Sequence, residues 1–277
     1  IEELDAFLEE TIRGMGIEVE GKNLFSKCGE IFAEDIDMIL GDAEGKIDGQ
    51  NREVPVRPPV LCPGCPHRGV FFVLKQLGLF VSGDIGCYTL GAAAPLGSMD
   101  TTVCMGASVS GAHGFEMARG RDFAKNTVAV IGDSTFIHSG ITGLINTVYN
   151  GGTTTTMILD NSITAMTGHQ QNPTTGKNCK GEPANAVDLV ALCKACGVKR
   201  VREVDPFDIK EMKKILQEET AADEASVIIT RRPCILINRQ AIKPSLVINQ
   251  DKCKKCGSCM KIGCPCIGKF DGKYQIN

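Results

Sequence analysis

From Val60 to about Ile242 short β-branched runs alternate with stretches of helical spacing, and glycines punctuate the joins. Val128–Ile131, Thr153–Leu159, Val198–Val204 and Ser226–Thr230 read as strands. Phe71–Leu79, Ser108–Met117, Ile137–Tyr149, Ala186–Cys196 and Pro206–Glu219 read as helices. This alternation predicts an α/β fold, a doubly wound and mostly parallel sheet with helices on both faces. Ahead of it, Ile1, Leu4, Leu8 and Ile12 predict a helix over Ile1–Arg13, stopped by Gly14 and Gly16. Lys22 to Pro59 is mixed in character and ends in Pro55, Pro58 and Pro59, so it reads as a connecting segment. After Pro244 a short cysteine-dense tail begins. Three regions result, 1–59, 60–242 and 243–277.

Composition narrows the function classes. The hydrophobic fraction of 43% over 277 residues is that of a globular chain. A net charge of -3, with no basic cluster interleaved with aromatics, gives no electrostatic case for nucleic acid or an acidic membrane surface. No apolar run spans a bilayer and no signal peptide is present, so a soluble cytoplasmic protein is expected. Fourteen cysteines are many for such a chain, and metal ligation is the leading account of the clustered ones. The start at Ile1 rather than Met, and the stop at Asn277 just after a cysteine run, suggest a piece of a longer chain.

Two strand ends carry the first candidate site. Val128–Ile131 runs into Gly132-Asp133-Ser134, and Thr153–Leu159 runs into Asp160-Asn161-Ser162-Ile163. Right-handed crossovers put both ends on one sheet edge, where ligands of such sheets sit. Asp133, Asn161 and a backbone carbonyl, with phosphate oxygens, make the hard oxygen set that Mg²⁺ prefers. Gly132 permits close backbone approach, and the following helix offers free amides. The bland alternative is a strand ending in a turn with a solvated Asp.

Gly132-Asp133-Ser134 followed by Asn161 resembles the thiamine-diphosphate motif, with Ser134 in place of the usual third glycine. That resemblance implies that Asp133, Asn161 and the Ile163 carbonyl hold the metal bridging the diphosphate. Cys62-Pro63-Gly64-Cys65-Pro66-His67-Arg68, Gly83-Asp84-Ile85-Gly86-Cys87-Tyr88, Cys104-Met105-Gly106-Ala107-Ser108 and Thr164-Ala165-Met166-Thr167-Gly168-His169-Gln170 resemble the large-subunit family of the indolepyruvate:ferredoxin oxidoreductases. The resemblance covers most of the chain. It adds Cys104, Met105 and Gly106 as cofactor contacts, and His67 and His169 as groups that contact substrate or move protons. Arg68 has two readings, a fork for a 2-oxoacid carboxylate or a brace for the Cys-x-x-Cys loop.

The cysteines fall into sets. Cys253-x-x-Cys256-x-x-Cys259-x4-Cys264-Pro265 has the spacing of a 4Fe-4S run with one extra residue, a deviation shared by the resembled family. Zinc is the competitor. The tail then reads as part of a ferredoxin-like domain, in which Cys264 serves the second cluster and Cys266 is a spectator. Cys62, Cys65, Cys87 and Cys234 follow the order of a thiamine-proximal cluster in pyruvate-type relatives, with a structural or substrate-side role as the alternative. Cys193 and Cys196 lie on an amphipathic stretch and read as core packing. Cys28, Cys104 and Cys179 stand alone, and His113 reads as a packed or capping histidine.

The resemblance implies oxidative decarboxylation of aryl-2-oxoacids, indolepyruvate among them, with thiamine as electron sink. Electrons leave singly through clusters to ferredoxin, coenzyme A takes the acyl group, and a small β/γ-type subunit is a partner. The pyrimidine-binding domain with its activating acid is not found in these residues and is expected elsewhere. The alternatives are another 2-oxoacid (pyruvate, 2-oxoglutarate or branched-chain), a non-redox thiamine enzyme, or an electron carrier with an inert α/β domain.

Overall fold

The computed structural model describes residues 7–21, 24, 32–41, 58–237 and 246–277. It divides into two compact units, Ile1–Arg57 and Pro58–Asn277. In the first, α1 spans Phe7–Gly14, steadied by an Arg13–Glu9 ion pair one turn apart at 2.7 Å. The expected helical positions Ile1 and Leu4 lie outside the described residues, as does Cys28. A second helix, α2 (Ala33–Leu40), corrects the reading of 22–59 as connection alone. The Phe32 N–H donates to the Asp35 carboxylate at 2.9 Å to start it, and Gly41 at φ 78° ends it.

The second unit begins with α3 (His67–Leu77), β1 (Phe80–Gly83), a 3-10 turn (Cys87–Ala92) and β2 (Thr101–Thr102). Then come α4 (Ala107–Arg119), α5 (Arg121–Ala124) and β3 (Thr127–Gly132). Helix α6 (Asp133–Thr135) runs through a π-helical turn (Phe136–Gly140) into α7 (Ile141–Tyr149). β4 (Thr155–Asp160), α8 (Leu189–Ala195), β5 (Arg200–Val204), α9 (Ile209–Thr220) and β6 (Ser226–Arg231) complete the domain. All four expected strands and all five expected helices occur, with shifted ends. Helix α3 starts about one turn before the expected Phe71, directly after Pro66, whose fixed φ of -61° suits a helix entry. Helix α8 starts at Leu189 rather than Ala186, because the Asp188 carboxylate accepts from the Val190 and Ala191 N–H groups. β1 was not expected; it is only four residues long.

The six strands pair side by side in the order β2-β1-β3-β4-β6-β5, every neighbour parallel. Side chains alternate between the two faces. Val128, Val130, Met157, Leu159 and Ile228 pack with Val70, Phe71 and Leu74 of α3 and Met212 and Leu216 of α9. Ala129, Ile131, Ile158, Val227 and Ile229 pack with Val109 of α4, Leu144 of α7 and Leu189 of α8. Helices therefore cover both faces, as the alternation predicted. The chain moves outward from β1 to β2 and then back across to β3, so a crevice opens at the carboxyl ends between β1 and β3.

In the tail, a 3-10 helix (Ser258–Ile262) precedes an antiparallel hairpin of β7 (Ile267–Phe270) and β8 (Lys273–Ile276). Asp271 and Gly272, at φ 48° and 74°, form its turn, since both central positions of such hairpins need left-handed backbone. Among the described residues no helix is long and apolar enough to cross a membrane.

Candidate cofactor site

The ends of β1, β3 and β4 deliver Asp84, Asp133 and Asn161 to one sheet edge. A cleft with about 590 Å³ of empty space lies there, lined by Cys87, Tyr88, Met105, Gly132, Asp133, Ser134, Asn161 and Ile163 among others. Asp133 is buried and accepts from the Ser134 N–H (2.8 Å), Asn172 Nδ2 (3.2 Å) and Thr174 Oγ1 (3.4 Å). Burial pushes its carboxyl up to about 6, and the nearby Asp160 carboxylate adds to the shift. Asp160 is itself tied to Arg231 at 2.9 Å. A buried carboxylate beside a second one, met only by neutral donors, is disposed toward a cation. With the amide oxygen of Asn161 and the backbone at Ile163 on the same wall, this donor set fits Mg²⁺.

Asn161 is held from three sides. Its Nδ2 lies 3.4 Å from His67 Nε2, its Oδ1 accepts from the Ile163 N–H at 3.3 Å, and its carbonyl accepts from the Cys234 N–H at 2.8 Å. His67 is buried and lines the cleft, and burial pushes its pKa down to about 4, so the imidazole is neutral at pH 7. It meets the Tyr88 ring edge-on at 6.0 Å. Tyr88 explains Gly132: a Cβ there would stand 2.6 Å from the ring. Gly132 thus admits an aromatic wall on one side while it also lines the cleft.

Asp84 accepts from the N–H groups of Ile85, Gly106 and Ser108 at 2.8–3.0 Å and so fixes the loop before α4. That loop puts Met105 on the cleft wall, whereas Cys104 is exposed and off it. His169 is exposed, at φ 62°, and also lies off the cleft lining. Arg68 is buried, with its guanidinium engaged by backbone carbonyls rather than turned to the cleft. His113 is packed against Glu116 at 3.4 Å, and Cys193 is fully buried in the core.

Cys62, Cys65, Cys87 and Cys234 come together. Burial pushes the Cys65 thiol up to about 12, and Cys62 and Cys234 add repulsion; burial also raises Cys87, reinforced by Cys234 and Cys62. Cys87 lines the cleft as well. Among the described residues no three His, Cys, Asp or Glu side chains close around a single ion. A cubane cluster, however, holds its thiolates farther apart than one ion does. In the tail, Cys256 is exposed and Cys253, Cys259 and Cys264 are half-buried around the left-handed Gly257 and Gly263.

The thiamine pyrophosphate enzyme, C-terminal TPP binding domain, matches residues 84–230, just over half the chain. This chain belongs to the thiamine pyrophosphate enzymes. The matched span contains Asp84, Asp133 and Asn161, the three strand-end residues at that sheet edge. The chain is also 37% identical to indolepyruvate oxidoreductase subunit IorA of Pyrococcus abyssi, covering 96% of this chain and 47% of that protein. For IorA of Archaeoglobus fulgidus the figures are 38%, 99% and 47%. The chain thus spans about half the length of these relatives. A 2-oxoglutarate:ferredoxin oxidoreductase from Magnetococcus marinus, solved with 2-oxoglutarate, coenzyme A and succinyl-CoA bound, shares the fold. Its TM-score is 0.54 at 18% identity, over 66% of this chain and 65% of that one.

Asp84 and Tyr88 entered the sequence reading only as letters of the Gly83–Tyr88 motif, with no role assigned, and Asn172 and Thr174 did not enter it. Gly83-Asp84 repeats the Gly-Asp pattern of Gly132-Asp133 and was legible once β1 is seen as a strand. Asn172 and Thr174 reach Asp133 across a loop, and no local pattern signals that.

Proposed function

We propose that the chain forms the diphosphate-side half of a 2-oxoacid oxidoreductase that decarboxylates aryl-2-oxoacids, indolepyruvate among them, and passes electrons through 4Fe-4S clusters to ferredoxin. The observation that carries this reading is the gathering of Cys62, Cys65, Cys87 and Cys234 beside the cleft, with Cys87 in its wall. A non-redox thiamine enzyme has no use for four thiols there. The likeness to IorA over nearly the whole chain supports the substrate class.

In this reading Asp133, Asn161 and the Ile163 carbonyl hold Mg²⁺ and through it the diphosphate, with Gly132, Ser134, Met105 and Gly106 around the cofactor. When bound, thiamine diphosphate supplies the electron sink for loss of CO₂. His67, neutral in its burial, accepts from Asn161 Nδ2 through Nε2 and so turns the amide oxygen toward the metal. Tyr88 and Met105 close the wall against water. Cys62, Cys65, Cys87 and Cys234 hold the first cluster, and Cys253, Cys256, Cys259 and Cys264 belong to a ferredoxin-like segment at 243–277 behind the cofactor domain at 60–242. Coenzyme A takes the acyl group, a β/γ-type subunit completes the enzyme, and the cytoplasm is its place.

The test is anaerobic assembly with the partner subunit and the remaining pyrimidine-side domain, followed by ferredoxin reduction across a 2-oxoacid panel. Arylpyruvates should be the best substrates, and reduction should vanish in Asp133→Ala. A clear preference for pyruvate overturns the aryl assignment. No 2-oxoacid-dependent reduction overturns the function.

A further inference from the structure

Arg68 is buried, and its guanidinium reaches two segments about two hundred residues apart. Nε donates to the carbonyl of Cys62 at 3.1 Å and Nη2 to that of Leu61. Nη1 donates to the carbonyls of Ile262, at 3.4 Å, and Gly263. Leu61 and Cys62 open the Cys62–Cys65 loop at the head of α3. Ile262 and Gly263 lead into Cys264. One side chain therefore grips both cysteine loops by their backbones.

The fit around it is close. Gly263 has a left-handed φ of +67°, and a Cβ there would stand 2.8 Å from Pro95 Cδ and 3.3 Å from Arg68 Nη1. The tail loop approaches the domain only because that position is bare. A guanidinium suits the task because its N–H groups form a rigid planar fork, whereas an ammonium is a single point donor. These contacts also explain why Arg68 is turned away from the cleft.

We infer that Arg68 is a positioning residue that pins the Cys264 loop of the tail onto the Cys62–Cys65 loop, and so fixes the gap between the two cysteine sets. The pin rests on the geometry; its consequence for electron transfer rests on the proposed function. There, each step moves one electron from the cluster at Cys62, Cys65, Cys87 and Cys234, which is oxidised, to the tail cluster, which is reduced. No bond or proton changes hands.

The test compares Arg68→Ala, Arg68→Lys and Gly263→Ala in the anaerobically reconstituted chain by hydrogen exchange, iron analysis and electron paramagnetic resonance. Amides of 258–266 should exchange about tenfold faster or more in Arg68→Ala and Gly263→Ala, with Val128–Ile131 unchanged. Arg68→Lys, which keeps the charge and loses the fork, should loosen the tail likewise. With iron content kept, the magnetic interaction between the reduced clusters should weaken. If Arg68→Ala does not fold, Gly263→Ala approaches the same contact from the other side. Wild-type protection of 258–266 in the folded variants overturns the pin. Loosened tails in a protein that takes up no iron leave the pin standing and overturn the electron-transfer reading instead.

Discussion

The Cys234 N–H donates to the carbonyl of Asn161 at 2.8 Å, which ties the loop after β6 to the end of β4. A thiol proposed for the cluster and an amide proposed for the metal therefore share one peptide hydrogen bond. That bond belongs to the backbone, so Cys234→Ala should keep it. The variant should lose about four irons per reconstituted chain, the content of one cubane, while still binding thiamine diphosphate. Cys193→Ala, in the core on the far side of the sheet, should keep its iron and lose about 1 kcal/mol of stability. Iron and sulfide analysis decides; equal iron loss in the two variants would sink the assignment of Cys234.

Asp133 gives metal binding a pH dependence. Its carboxyl, raised from 3.8 to about 6, holds a proton in the metal-free fold that the unfolded chain has already released. Its contribution to metal-free stability therefore falls as pH rises from about 4 to about 6, by something on the order of 3 kcal/mol. Mg²⁺ must displace that proton, so its affinity should drop about tenfold per pH unit below about 6. Asp133→Asn should bind Mg²⁺ and thiamine diphosphate far more weakly at every pH. Calorimetric titration at pH 5 and pH 7.5 checks both; a flat affinity profile in the wild type contradicts the assignment.

His67 acts in the opposite sense. Its pKa is lowered from 6.5 to about 4, so below 6.5 the unfolded chain takes up a proton that the fold refuses. Its contribution is whole above 6.5 and is lost as pH falls toward 4, again on the order of 3 kcal/mol. His67→Gln should flatten that part of the stability curve and weaken metal binding through Asn161. Nitrogen chemical shifts of the imidazole report the charge directly, and a protonated His67 at pH 5.5 would refute the reading.

Gly132→Ala tests the aromatic wall. The added Cβ would stand 2.6 Å from the Tyr88 ring and force it aside, at a cost of about 1–3 kcal/mol. Gly132→Ala/Tyr88→Leu should recover part of that loss, because the two positions are in contact. Urea unfolding of the two single variants and the double variant measures the coupling. Strict additivity would mean that Tyr88 is not what the glycine accommodates.

The parallel sheet was legible because β3, β4 and β6 are buried on both faces and read as apolar runs. β1 was missed because four residues carry too little pattern, and α2 because its signals are a carboxylate cap and a left-handed glycine, with prolines close behind. The hairpin of β7 and β8 was not expected, although Asp271-Gly272 is a dipeptide whose left-handed backbone suits a two-residue turn.

Local chemistry and spacing by themselves determined the alternation of β3 to β6 with their helices, the strand-end positions of Asp133 and Asn161, and the clustering of tail cysteines. These are properties of near neighbours, and near neighbours leave periodic marks. Tertiary structure decided between open readings, bringing Cys62, Cys65, Cys87 and Cys234 together and turning Arg68 to two cysteine loops instead of the cleft, and it alone decided that Asn172 and Thr174 reach Asp133. Such contacts join residues far apart in the chain, and burial and strand order create them only once the sheet has formed.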